Sequence, residues 1–204
     1  IGACSTVAVY YGIAVMVTLG LSFGAQIVFA RRLGQGKPDA IGKVFDNGLY
    51  LMLALATVLF LFLKFASPWL LRFVFESDAI YEKGIAYLNY RAYEIFFTAM
   101  TMFGVAFYTG IGKTMVLTWS SLVMIAVNVF FNYCLVFGEL GFPEMGIAGA
   151  GLASLISSVA SVAVNLIYIY AARLKQQYGL LKLKKWDPDI IRGHLKLYGP
   201  IVLQ

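Results

Sequence analysis

Long apolar runs alternate with short polar connectors along this chain. Five runs, at about residues 7–30, 49–71, 85–110, 115–137 and 147–172, are long enough to cross a bilayer, which takes roughly 20 residues at about 1.5 Å of helical rise each. A backbone in hydrocarbon finds no water to bond, so a spanning segment is a helix or a strand of a closed barrel. Barrel strands alternate apolar and polar positions over about ten residues, whereas these runs are continuous. The pattern predicts an all-α, polytopic transmembrane helix bundle. Lys64 and Pro68 interrupt the second run and put its expected end near Leu63.

Composition sharpens this picture. Apolar residues make up 61% of the 204 positions and charged residues 13%, about half the charge of a typical soluble domain. The basic residues lie mostly between the runs. Arg31, Arg32, Lys37, Lys43 and Lys113 share one side with Arg173, Lys175, Lys182, Lys184, Lys185, Arg192 and Lys196, twelve in all, against Lys64, Arg72 and Lys83 on the other. That asymmetry predicts a cytoplasmic face at the first side, with Ile1 outside and the protein in the cell (inner or plasma) membrane. The net charge of +6 has no basic stripe interleaved with aromatics, so nucleic acid is not an expected partner; the bilayer is. Cys4 and Cys134 have no metal or redox spacing and read as packing residues. No metal and no cofactor is expected.

Both ends read as cut. Residues 1–5 lack the charged region of a signal peptide, and residues 197–204 resemble the entry to a further helix. The expected organisation is a partial N-terminal transmembrane lobe over 1–173, a basic cytoplasmic linker over 174–196, and the start of the next transmembrane helix over 197–204. The linker has the composition of a segment that lies on the inner membrane surface.

Small residues let helices approach closely in lipid. Gly20 and Gly24 form a GxxxG match, and the last run carries Gly146, Ala150, Ser154 and Ser158 beside Gly149, Ala153, Ser157 and Ser161. These are expected to face another helix. Polar groups within the runs are costly and tend to mark function. Gln26 lies near the cytoplasmic end of the first run. Arg91 and Glu94 stand one turn apart in the third, where they can pair, or where Arg91 can snorkel outward. They read either as a structural ion pair or as a device for handling substrate or protons, and Glu94 is the one acid expected well inside a helix. Asn128 and Asn132, at i and i+4, put two amides on one face of the fourth run, for an interhelical hydrogen bond or for a cation or proton site to which Ser154 and Asn165 contribute oxygens.

From Arg91 to Ser158 the chain resembles the multidrug and toxic compound extrusion (MATE) family. The matching pieces, in order, are Tyr108-Thr109-Gly110-Ile111-Gly112-Lys113-Thr114, Asn128-Val129-Phe130-Phe131-Asn132-Tyr133, Phe137-Gly138-Glu139-Leu140-Gly141-Phe142-Pro143 and Gly146-Ile147-Ala148-Gly149-Ala150-Gly151-Leu152-Ala153-Ser154. Gly24-Ala25-Gln26 and Arg32-Leu33-Gly34-Gln35-Gly36 extend the likeness. The resemblance implies one lobe of a two-lobe, repeat-built transporter, its second to sixth helices, with the first helix and the C-terminal lobe as missing partners. It implies export of small cationic or zwitterionic organic compounds against H+ or Na+. It also implies a cation site in which Asn128 matches the family's Asn, Asn132 stands where one subgroup has Asp, and Ala150 and Ser154 match a small residue and a Thr. With Asn at 132, the chain looks more like the subgroup whose coupling acids lie in the other lobe. Glu94 matches no family motif.

The alternative within the superfamily is a lipid-linked oligosaccharide flippase, which tends to line its cavity with basic residues; here Arg91 is the one base at membrane depth. An intramembrane enzyme would need a catalytic constellation. No run contains His, the single His194 lies in a basic connector, and Glu94 has no acidic partner nearby, so no enzymatic activity is expected.

Overall fold

The structure, a computed structural model, describes residues 2–74 and 77–182. Its elements are α1 (Gly2–Gly34), α2 (Pro38–Leu61), a π-helical turn (Phe62–Ala66), α3 (Ser67–Val74), α4 (Asp78–Gly110), α5 (Met115–Phe137), a 3-10 turn (Glu139–Gly141), α6 (Ile147–Ala171) and α7 (Leu174–Tyr178). The long helices run up and down in sequence, so α1, α4 and α6 are parallel to one another. Among the described residues, four helical stretches have the length and hydropathy to cross a membrane: Val7–Gly34, Pro38–Phe73, Met115–Phe137 and Ile147–Ala171. The expected run at 85–110 lies in α4, which is not among them; it is as long as α1 but carries more charge. It can, because it is the central helix, packed against α1, α2 and α6. Ala92, Ile95, Ala99, Phe103, Ala106, Phe107 and Tyr108 along it are buried.

The second span departs from expectation at both ends. It begins at Pro38, whose missing N–H costs nothing in a first turn, so Lys43 and Asp46 lie in the helix rather than in a connector. It also runs past Leu63 to Val74. Pro68 cannot donate to the carbonyl one turn back and would clash with it. The π turn widens the helix just before it, with the Ser67 N–H and hydroxyl both donating to the Phe62 carbonyl. Lys64 is accommodated by donating to Asn89 Oδ1 at 2.9 Å and by lying over the Tyr93 ring.

Two apolar clusters fill the bundle. At the end bearing the basic connectors, Phe29, Phe45, Phe103, Phe107 and Tyr108 pack edge-on or tilted, with centroids 5.0–6.4 Å apart. Toward the opposite end, Val7, Tyr11, Leu63, Leu71, Leu88 and Ile95 form the second.

The start of the proposed linker belongs to the first cluster. Leu174, Tyr178 and Leu180 are buried there, and α7 rests on α2 so closely that a Cβ on Gly42 would clash with the Tyr178 carbonyl oxygen. Asp46 secures this docking by accepting from the Leu181 N–H at 2.9 Å. Linker residues 183–196 and the expected helix start at 197–204 lie outside the described residues.

Candidate functional site

The helical period puts Asn128 and Asn132 one above the other on α5, where Asn132 bonds to Asn128 and Asn128 reaches α6. Asn132 Nδ2 donates to Asn128 Oδ1 and to the Asn128 carbonyl, each at 2.9 Å. Asn128 Nδ2 donates to Ser157 Oγ at 3.2 Å, and Ser157 Oγ donates to the Ser154 carbonyl at 2.8 Å. A continuous row of polar groups thus crosses from α5 to α6 within the spanning region. Farther toward the basic end, Ser120 and Ser161 hydrogen bond at 2.8 Å across the same seam.

Close approach makes these bonds possible. Gly149, Ala153, Ser157 and Ser161 form the buried face of α6 toward α5, and a Cβ on Gly149 would meet the Leu135 carbonyl oxygen at 2.5 Å. Gly146 does not belong to this packing face. It caps α6 with φ 54° and ψ −125°, and a Cβ there would meet nothing within 4 Å. Its role is the turn geometry that suits a residue without Cβ. Ala150 is half-buried against the second cluster and Ser154 half-buried beside Ser157. In α1, Gly24 is buried and Gly20 half-buried. Gln26 stands apart from the Asn pair, its carbonyl beneath Gly110 of α4 near the basic end.

A second polar group lies between α4, α6 and α1. Arg91 Nη1 donates to Glu94 Oε2 at 2.6 Å, and Ser158 Oγ donates to Glu94 Oε1 at 3.0 Å. Arg91 does not snorkel: its guanidinium lies 4.0 Å over the Tyr11 ring and 5.7 Å from that of Tyr87. Tyr11 in turn hydrogen bonds Thr98. Ser158, read from sequence as a packing residue, is therefore also a ligand of the buried acid.

Sequence reasoning missed Asp46, because the helix containing it was expected to start at residue 49. It is a second buried acid, 1% exposed. The capping preference for Pro at the first helical position was the signal that locates it. Asn165 was grouped with the Asn128 site but faces α4, beside Gly104, and its carbonyl accepts from the Tyr108 hydroxyl. Among the described residues, no group of three or more His, Cys, Asp or Glu is placed to hold a metal ion.

Residues 1–134 match the family described as MatE. A probable multidrug resistance protein NorM of Halalkalibacterium halodurans is 30% identical over 172 residues, 81% of this chain and 38% of that protein. The protein of the same name from Geobacillus kaustophilus is 27% identical over 183 residues, 89% of this chain and 37% of its own length. Among solved structures, a MATE protein in a bent conformation superposes with a TM-score of 0.86 at 20% identity, over 98% of this chain and 44% of that one. The inward-facing conformation of a multidrug resistance MATE family transporter gives 0.83, with 98% and 45% coverage. This chain spans about two fifths of the length of these relatives.

Proposed function

The chain belongs to the MatE family, and on that premise we propose that it forms one lobe of a secondary transporter that exports cationic or zwitterionic organic compounds. It is a multi-pass membrane protein. The finer reading is antiport against protons or sodium across the cell membrane, by alternating access between this lobe and a second one. The names of its relatives support drug export over the flippase alternative.

The observation that carries the reading is the row Asn132–Asn128–Ser157–Ser154. Two amides inside an apolar bundle cost a few kcal/mol unless partnered, and here they are partnered with one another and with α6. The acceptor oxygens in this row, Asn128 Oδ1, Ser157 Oγ and the Ser154 carbonyl, suit a monovalent cation or a substrate ammonium. An amide does not release a proton in the physiological range, so the row binds or orients and does not itself carry a proton. The test is Asn128→Ala and Asn132→Ala, made separately in the full-length transporter, with drug efflux measured beside surface expression. Loss of efflux at normal expression supports the site. Normal efflux in both variants removes it, and loss of expression assigns the row to packing.

A further inference from the structure

We propose that Glu94 is a proton-binding site built into this lobe, exchanging its ion pair with Arg91 for a proton. Its role in coupling rests on the export reading above; the proton binding itself does not.

Position comes first. Glu94 is the midpoint of the 33-residue α4, about 24 Å along the axis from either end at helical rise. It is 5% exposed. Inside an apolar bundle an ionised side chain is expensive to keep and tends to mark function.

The partners favour exchange over a permanent pair. A carboxylate meant to stay ionised is best held by N–H donors, which cannot reverse. One of the two partners of Glu94 is the Ser158 hydroxyl, which donates to a carboxylate and can turn to accept from a carboxylic acid. The other, Arg91, is not held by Glu94 alone. Its guanidinium lies over Tyr11 and faces Tyr87, and these contacts persist when the acid is neutral. Arg91 Nε has no protein partner, so the guanidinium has a spare donor to turn to water. The charged and titratable groups facing Glu94 are thus Arg91 on its own helix and Tyr11 on α1, with Tyr87 behind Arg91, while α6 offers the uncharged Ser158.

The α4–α6 contact carries further buried polar groups. The parallel α4 and α6 meet in step, Tyr87 at Gly151 and Glu94 at Ser158. Farther along the same pair of helices, the Asn165 side chain lies beside Gly104 of α4. The Thr101 hydroxyl on α4 and both polar side-chain atoms of Asn165 are buried without protein partners, and Asn165 is 94% buried.

The exchange is a simple one. A proton from solvent forms an O–H bond on Glu94 and the ion pair to Arg91 opens. No other covalent bond changes, and release returns the proton to solvent. While the proton is bound, the cluster carries one net positive charge, which opposes a cationic substrate in the same lobe. Because Tyr11 and Ser158 are on α1 and α6, the exchange is felt by three helices.

The test uses the full-length transporter reconstituted in liposomes, with infrared difference spectra taken across a pH titration. The wild type should show a protonated-carboxyl band, a component of which is missing in Glu94→Gln. Ser158→Ala removes a partner of both forms of Glu94, and the bond to the carboxylate, being charge-assisted, is the stronger of the two. Its component should titrate about one pH unit higher, the difference between a hydrogen bond to a charged group and one to a neutral group. An unchanged band in Glu94→Gln overturns the proposal. So does an unchanged midpoint in Ser158→Ala, which decides the matter if the Gln variant does not fold. Drug efflux read on the same samples separates the two ideas. If the wild type exports drug and Glu94→Gln exports it with the same pH dependence, the coupling role fails and the export reading stands. If the band behaves as expected but the wild type exports nothing, the proton site stands and the export reading fails.

Discussion

Replacing Gly149 by alanine tests the α5–α6 seam most directly. The added Cβ would lie 2.5 Å from the Leu135 carbonyl oxygen and 2.7 Å from its carbon. These are backbone atoms, and no side-chain rotation relieves them. That oxygen also accepts from the Met145 N–H at 2.8 Å, so it cannot tilt aside without losing a bond. Contacts under 3.0 Å are not tolerated, so the helices must part by at least about 0.5 Å here, an overpacking that costs about 1–3 kcal/mol. If the displacement is carried along the seam, the 3.2 Å bond from Asn128 to Ser157 opens to about 3.7 Å, past the limit of a hydrogen bond. Gly12→Ala is the control. It is also mid-helix, but a Cβ there meets nothing within 4 Å, so the change should be neutral or should stabilise by about 0.5–1 kcal/mol through helix propensity. Thermal unfolding of the two purified full-length variants should therefore move in opposite directions, or at least only Gly149→Ala should fall. A Gly149→Ala protein that melts at or above the wild type would refute the contact and the reasoning built on it.

Ser120→Ala removes the bond to Ser161 without introducing a clash, so by the same assay it should cost about 0.6 kcal/mol, clearly less than Gly149→Ala. Asp46→Ala should release the docked segment around α7, read as faster trypsin cleavage after Lys175 or Lys182; unchanged cleavage would show that the Asp46–Leu181 bond does not hold it. Cys134 is fully buried and free, so a maleimide should label it slowly in the native protein and fast after denaturation, and rapid native labelling would contradict the packing of α5 on α6.

Much was legible in the chain itself. Continuous apolar runs can be only spanning helices, because lipid leaves the backbone no other way to satisfy its hydrogen bonds. The Asn128 and Asn132 pair was visible because their spacing alone sets them on one face. The small residues of α6 likewise announced a close contact. What the sequence did not show were features that depend on a neighbour. Lys64 and Pro68 read as a stop until a π turn, Asn89 and Tyr93 made room for them. Arg91 could pair with Glu94 or reach outward, and the Tyr11 ring beneath its guanidinium holds it beside the acid. Asp46 finds its partner only where α7 folds back on α2. Local pattern determined where helices form, since that is a matter of each segment's own backbone and solvent. Tertiary structure alone decided which polar side chains meet, since partners such as Glu94 and Ser158, 64 residues apart, are chosen by the register of two packed helices that neither helix encodes by itself.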